Sequence, residues 1–151
     1  MKAELVQAAG RVFGSVAEEL AFLFVTPAAS DEPPDEPLLE AAAGFRGSHA
    51  GRVTLVAPAS LAAEVAGNLL GLDSAETVDE TQAEDALGEL ANVFTGHLAT
   101  ALWGGRALVN LDPPVVSPAD PERWRELVGV GARVWAADDR PLALHVWLLQ
   151  E

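Results

Sequence analysis

The chain has 151 residues, of which half are hydrophobic and 21% are charged, so its composition is that of a folded domain rather than a disordered segment. Its 23 acidic residues outnumber its nine basic ones, and the net charge of −14 argues against nucleic acid or an anionic membrane as a partner, because both need clustered Lys and Arg. The lack of cysteine excludes disulfides, thiolate metal sites and cysteine nucleophiles.

The length predicts one domain over residues 1–151. Its first residues follow an amphipathic pattern rather than the apolar core of a signal peptide, and no apolar run approaches the roughly 18 residues that a membrane-spanning helix needs. We therefore expect a cytoplasmic protein.

Helical spacing of apolar residues predicts a long amphipathic helix over residues 3–24, which Thr26 and Pro27 close. Residues 27–37 contain four prolines and four acidic residues. Such a composition cannot continue a helix and is not expected to be buried, so it predicts an exposed, mobile loop whose expected role is to connect its neighbours.

The next stretch predicts a β-hairpin followed by a short helix. Residues 39–45 alternate between apolar and small or polar side chains, and residues 52–57 are rich in β-branched ones, which is typical of paired strands. The helix is expected over residues 58–70, with Gly71 as its stop.

Residues 81–103 predict the central helix of the chain. Thr81 and Glu84 fit a capping box at its start, and Gly104 supplies the residue that commonly stops a helix. At about 100° per residue, an apolar stripe is expected to face the core, formed by Leu87, Leu90, Phe94, Leu98 and Ala101. The side almost opposite carries Asp85, Glu89, Asn92 and Gly96.

Two glycines, Gly88 and Gly96, interrupt this helix, although a glycine inside a helix costs roughly 0.5 to 1 kcal/mol relative to alanine. Gly96 lies on the face away from the apolar stripe, where core packing does not account for it. We therefore predict that another surface approaches the helix closely at Gly96.

Short extended segments dominate the remainder of the chain. We expect strands near residues 107–111 and 115–116, one helical turn over residues 120–126, and two final strands over residues 128–136 and 142–149. The order of helix, two strands, two helices and several strands predicts an α+β fold. The economical packing is a two-layer sandwich, with an antiparallel-rich sheet covered on one face by long helices.

Most catalytic schemes find no support in the sequence. His49, His97 and His145 are scattered over a turn, a helix and a strand without the spacing of a metal site. The serines lack a nucleophile-elbow context, and residues 47–51 do not match a phosphate-binding loop. We expect this chain to hold neither a metal nor a cofactor of its own.

Glu89 and Asn92 stand three residues apart, which places their side chains side by side on the helix surface. By itself such a pair on an exposed helix carries no meaning. The surrounding order resembles the signature of the CheC/CheX/FliY family of chemotaxis phosphatases, in which a helix carries Glu, then Asn, then Gly; here it reads Asp85, Gly88-Glu89-Leu90-Ala91-Asn92, Gly96.

The resemblance extends beyond the motif, from Phe45 to about Pro118, and is to CheX in particular. Residues 45–57 look like the family's unit of strand, glycine turn and strand. Residues 62–71 look like its short helix ending in Leu-Leu-Gly, and residues 111–116 look like its proline-containing strand.

This resemblance implies hydrolysis of the aspartyl phosphate on a response-regulator receiver domain such as CheY. It assigns Glu89 to a contact with the receiver's active-site lysine and Asn92 to holding the attacking water, with Asp85 and Gly96 on the docking surface. The receiver is expected to supply a divalent metal ion. Homodimers that pair through their sheets are also implied.

One departure from the wider family concerns the first helix. CheC-type relatives repeat the Glu and Asn pair on two helices, but here Glu18 is followed three residues later by Ala21, and Glu19 by Phe22. A single site of the CheX pattern is therefore expected. Two alternatives are a non-catalytic module that binds a receiver without hastening hydrolysis, and a structural α+β domain with an accidental motif.

Overall fold

The computed structural model describes residues 1–72, 77–106 and 108–149. In this part of the chain, four helices and seven strands follow one another as α1 (Ala3–Ala21), β1 (Val25–Pro27), β2 (Leu38–Gly47), β3 (Gly51–Pro58), α2 (Ala59–Leu70), α3 (Glu80–Trp103), β4 (Val109–Leu111), β5 (Val115–Ala119), α4 (Pro121–Gly129), β6 (Arg133–Ala137) and β7 (Arg140–Leu148).

The strands form one antiparallel sheet in the order β1-β6-β7-β3-β2-β4. The long strand β2 pairs with β3 along one edge, while β5 and β4 share its other edge, opposite residues 38–42 and 45–47 respectively. The predicted α+β class with an antiparallel sheet is thereby confirmed.

Alternation along the strands separates two sheet faces. Val53 and Leu55 of β3 and Leu144 of β7 belong to the main core, into which α1, α2 and α3 bury their apolar sides. An edge-to-face contact between Phe13 of α1 and Phe94 of α3, with ring centroids 5.5 Å apart, lies within that core. The predicted layer of long helices on one face of the sheet is therefore present.

The second face of the sheet is covered in part by α4. Trp124 and Leu127 of α4 pack in a smaller core with residues of four strands or their flanks, namely Leu38, Val56, Ala132, Val134 and Ala143. Asp120 caps this helix by accepting a hydrogen bond from the Arg123 N–H at 2.8 Å, and Pro121 opens it. The helix is longer than the predicted single turn, and its end displaces the start of β6 from residue 128 to Arg133.

The end of the first helix also differs from the prediction. Helix α1 stops at Ala21, where Phe22 takes a left-handed conformation with φ 58°, and residues 25–27 form the edge strand β1 instead of helix and loop. This segment is a strand because it pairs with β6. Three residues are too few to show an alternating pattern in the sequence. The loop that follows is exposed as predicted, and its Asp31 carbonyl accepts a 2.9 Å hydrogen bond from the Trp124 indole.

Candidate functional site

Helix α3 is anchored at both ends. Asp79 accepts a hydrogen bond from the Gln82 N–H at 2.8 Å, and the Gln82 side chain accepts one from the Asp79 N–H at 3.0 Å. This is a capping box, but it starts two residues before the predicted pair of Thr81 and Glu84. Both pairs have the spacing of a capping box, so the residue preferences do not decide between them. The path by which the chain enters the helix selects Asp79.

The other end of α3 is held by aromatic contacts. Trp103 stacks on His49 of the β2–β3 turn, with ring centroids 4.1 Å apart and planes 4° from parallel, and its centroid lies 5.7 Å from that of Phe45. Gly104 then ends the helix with a positive φ of 84°. The C-terminal end of α3 is thereby held against the β2–β3 hairpin.

The predicted apolar stripe of α3 is buried along most of its length. Four of its members are at most 2% exposed, namely Leu87, Leu90, Phe94 and Leu98. Ala101 is exposed and was wrongly assigned to the core. In this last turn the packing is made instead by Leu102, which contacts the main core, and by Trp103.

The two glycines of α3 have different surroundings. A Cβ added to Gly88 would lie 3.3 Å from both Pro114 Cγ and Val116 Cγ2, which is tighter than ordinary contact. Gly88 therefore lets the helix pack against β5 and the segment before it. Among the described residues, a Cβ added to Gly96 would meet only Leu111 Cδ1, at 3.6 Å, so packing against them does not require a glycine there.

The residues predicted to form the site share one narrow strip of α3. Asp85 and Glu89 are exposed, whereas Asn92 and Gly96 are half-buried where the helix borders β4 and β5. The spacing of i, i+4, i+7 and i+11 from Asp85 keeps all four on one side of the helix. The helix alone thus brings the predicted residues together.

Asn92 is the least satisfied polar residue of this strip. Its Oδ1 atom is inaccessible to solvent and has no hydrogen-bond partner among the residues that the structure describes. Leaving a buried acceptor unpaired costs about 1 to 3 kcal/mol. Asn92 thus keeps a polar atom without a hydrogen bond on the strip that it shares with Glu89.

Sequence analysis missed the residues that flank this strip. Pro114 and Val116 lie beside Gly88, and Leu111 lies beside Gly96, where a recess of about 130 Å³ opens between the end of α3 and β4. The Pro113-Pro114 pair predicts an extended segment, but it does not predict that this segment packs against α3.

Metal-binding clusters are lacking in residues 1–72, 77–106 and 108–149, where no three His, Cys, Asp or Glu side chains come together. His49 is stacked on Trp103, His97 is exposed on α3, and His145 lies on the second sheet face. No helix in those ranges combines the length and apolarity needed to cross a membrane.

The fold is shared with solved structures of CheX-type chemotaxis proteins. CheX from Vibrio vulnificus superposes with a TM-score of 0.71 at 19% identity, covering 97% of this chain and 97% of that one. CheX from Desulfovibrio desulfuricans superposes with a TM-score of 0.66 at 16% identity, covering 97% of this chain and 99% of that one. A CheX-CheY-BeF3-Mg²⁺ complex from Borrelia burgdorferi matches with a TM-score of 0.64 at 14% identity, covering 99% of this chain and 100% of the matched one.

At these identities the likeness establishes the fold alone. The family described as Chemotaxis phosphatase CheX matches the sequence itself over residues 39–129, which run from β2 to the end of α4 and include Glu89 and Asn92. The chain belongs to the CheX family of chemotaxis phosphatases. Among curated proteins, no sequence matches it.

Proposed function

We propose that this protein hydrolyses the aspartyl phosphate of a CheY-like response-regulator receiver domain. The observation that carries the proposal is the pairing of an exposed Glu89 with a half-buried Asn92 whose amide oxygen has no partner among the described residues. The pair sits on a helix fixed at both ends, in a member of a phosphatase family. The solved complex of a CheX with CheY, BeF3 and Mg²⁺ supports a receiver as partner.

In this proposal Asn92 positions the nucleophile. Its amide holds a water molecule in line with phosphorus; an oxygen–phosphorus bond forms while the bond from phosphorus to the aspartyl oxygen breaks. Inorganic phosphate takes up the water proton, and the receiver regains its carboxylate. The loose transition state of phosphoryl transfer demands little basicity from the water, so a neutral amide that orients it suffices.

Glu89 has a docking role in this mechanism. Its exposed carboxylate pairs with the receiver's active-site lysine, which brings Asn92 to the phosphoryl group. The divalent metal ion and the lysine both come from the receiver, so no cofactor of this chain takes part. The net charge of −14 favours a partner that presents a positive charge at the contact.

Asp85 and Gly96 complete the proposed docking strip. Gly96 lies one turn beyond Asn92, and among the described residues a Cβ at this position would meet Leu111 alone, next to the small recess. A side chain there would stand between the helix and the receiver. We also propose that the protein acts in the cytoplasm, where it would meet its receiver. Two copies are proposed to pair through their sheets, which sedimentation velocity can test.

The test follows the loss of aspartyl phosphate from a phosphorylated receiver, with receiver binding measured separately. Asn92→Ala should slow the accelerated hydrolysis on the order of 10²-fold while binding is retained, because it removes only the positioning of water. Glu89→Ala should mainly weaken binding, by about 2 to 5 kcal/mol if the charge pair is desolvated. The exposed Asn110 of β4 provides a matched control, and Asn110→Ala should leave both measurements unchanged.

Two outcomes would contradict the mechanism. Wild-type rates in both Asn92→Ala and Glu89→Ala would remove the assignment of these residues. Stable binding of a phosphorylated receiver whose phosphate lifetime does not change would instead identify a non-catalytic receiver-binding module.

A further inference from the structure

The segment that follows α1 exposes two aromatic side chains. Phe22 is 71% exposed and Phe24 is 69% exposed, whereas Leu23 between them is 2% exposed and belongs to the main core. Leu23 therefore anchors the segment, and the rings on either side of it face water. Single exposed apolar residues are ordinary, but neighbouring ones form a patch, and patches of this kind mark interaction surfaces. We refer to these two rings as the Phe22–Phe24 patch.

Phe22 takes a backbone conformation that favours glycine. It follows the last residue of α1 with φ 58° and ψ 33°, and its N–H donates to the Glu18 carbonyl at 3.1 Å, which closes the helix. A side chain in this left-handed region crowds its own backbone, whereas glycine has no Cβ and is the common residue at such helix ends. Local stability therefore does not account for an exposed phenylalanine at this position.

The last turn of α1 carries negative charge at the end of the helix that favours positive charge. Glu18 and Glu19 are exposed there, the turn contains no basic residue, and neither glutamate forms an ion pair within the described ranges. Because the C-terminal end of a helix is itself partly negative, two glutamates there are locally unfavourable.

The β6–β7 turn adds two more exposed carboxylates, those of Asp138 and Asp139. The Asp138 carboxylate accepts a hydrogen bond from the Phe24 N–H at 2.9 Å, so this turn lies next to the patch. Glu18, Glu19, Asp138 and Asp139 therefore flank the two rings, and we call them the acidic rim.

The backbone of the patch is held from two sides. Asn68 of α2 donates a hydrogen bond to the Ala21 carbonyl, just before Phe22. On the other side, the Phe24 carbonyl accepts a hydrogen bond from the Asp138 N–H at 2.9 Å. A partner does not have to order this segment in order to bind it, and a surface that is already ordered loses less conformational entropy on association.

We propose that the Phe22–Phe24 patch docks a basic segment of another protein. Lys or Arg side chains of that segment pair with the acidic rim, while their alkyl stems and charged heads lie against the faces of the two rings. The strained Phe22, the exposed rings and the acidic helix end are each unfavourable in the isolated chain, and such a partner makes all three favourable.

Other occupants fit this surface less well. A second copy of the chain, with its net charge of −14, or an anionic membrane would bring further negative charge to the acidic rim. The patch and its rim share no residue with the strip of Asp85, Glu89, Asn92 and Gly96 on α3. Binding at the patch and receiver dephosphorylation can therefore be measured independently.

The test begins with selection from a random dodecapeptide library displayed on phage, with the full chain immobilised. The retained peptides should combine Lys or Arg with an apolar residue. Remade as fluorescein-labelled synthetic peptides, they should bind the chain in fluorescence anisotropy, and rising salt should weaken this binding because exposed charges are screened. The matched control is the same peptide with each Lys and Arg changed to Glu, which should not bind.

Two variants of the aromatic pair locate the binding site. Phe22→Gly should weaken peptide binding at least tenfold while its Tm stays the same or rises, because glycine suits the left-handed conformation. Phe24→Ser should weaken binding to a similar extent. Val130→Ser is the control, since it removes a 61% exposed apolar side chain from a hollow beside Met1, near the start of α1, and it should bind the peptides as the wild type does.

A second pair of variants tests the acidic rim at constant net charge. Glu19→Gln and Glu4→Gln each remove one exposed carboxylate, from the last and the first turn of α1 respectively. Glu19→Gln should weaken peptide binding at least threefold, whereas Glu4→Gln should change it by less than half as much, because distant exposed charges are screened.

Several results would overturn the proposal. These are a selection that retains no peptide, retained peptides without basic residues, and peptides that bind Phe22→Gly and Phe24→Ser as tightly as the wild type. A change from dimer to monomer in these two variants, measured by sedimentation velocity, would assign the patch to self-association instead. None of these results alters the test of the phosphatase site, which depends on Asn92→Ala and Glu89→Ala.

Discussion

Helices α1 and α3 lie side by side in the same layer, and both expose glutamates, but they are held in different ways. Helix α1 begins at Lys2 without a side-chain cap and ends at the left-handed Phe22. Helix α3 begins with the Asp79 capping box and ends against His49 and Phe45 through Trp103. The two helices differ at their starts, because α3 has a side-chain cap and α1 has none, and in the aromatic contacts at the end of α3.

Their polar faces differ as well. Glu18 and Glu19 of α1 are exposed, and the residues three positions later are the buried Ala21 and the exposed Phe22. In α3, exposed Glu89 is followed three positions later by Asn92, whose oxygen is buried without a partner among the described residues. Both helices therefore have an acidic face, and what distinguishes α3 is the unpaired amide oxygen of Asn92 next to Glu89.

The largest expected effect concerns the packing of α1. A Cβ added to Gly10 would lie 2.5 Å from Trp135 Cη2, whereas one added to Gly14 would meet only Val25 Cβ at 4.0 Å. Gly10→Ala should be less stable than Gly14→Ala by about 1 to 3 kcal/mol, since overpacking must displace the indole. Urea unfolding with a constant m-value measures the difference, and equal stabilities would show that Trp135 yields freely.

The cap of α3 should contribute somewhat less. Asp79→Ala removes the side chain that accepts from the Gln82 N–H and should destabilise the protein by about 1 kcal/mol. Thr81→Ala, which changes the residue first expected to cap, is the control and should alter stability by no more than about 0.5 kcal/mol. A larger loss of stability in Thr81→Ala would indicate that Thr81, rather than Asp79, caps the helix.

The two glycines of α3 should respond to alanine substitution to different extents. Gly96→Ala should stabilise the protein by about 0.5 to 1 kcal/mol, because helix propensity improves and its Cβ has room. Gly88→Ala should stabilise it less, because Pro114 and Val116 lie 3.3 Å from the new Cβ. Thermal unfolding tests this order; a lower dephosphorylation rate in the stabilised Gly96→Ala variant would mark Gly96 as part of the docking strip.

The smallest expected effect is at the acidic face of α1. Glu18→Ala removes a carboxylate that is exposed, as that of Glu89 is. It should change the free energy of unfolding by less than about 0.5 kcal/mol and the rate of receiver dephosphorylation by less than about twofold. Glu18→Ala and Glu89→Ala change the net charge equally, so a difference between their dephosphorylation rates reports the position of the carboxylate. An equal loss in both variants would mean that net charge, rather than the α3 strip, governs the reaction.

The candidate site was predictable because it is local. Asp85, Glu89, Asn92 and Gly96 occupy one side of any helix that contains them, whatever the rest of the chain does. The environment of Asn92 was not predictable. Its buried oxygen depends on how α3 packs in the folded protein, next to the strands β4 and β5 that share one edge of β2.

The sequence by itself determined the long helices, the hairpin, the α+β class and the membership of the polar strip, since periodicity and motif spacing are properties of neighbouring residues. The edge strand β1 and the packing role of Gly88 come from the tertiary structure. Each of these depends on contacts between residues distant in the chain, which local patterns do not encode.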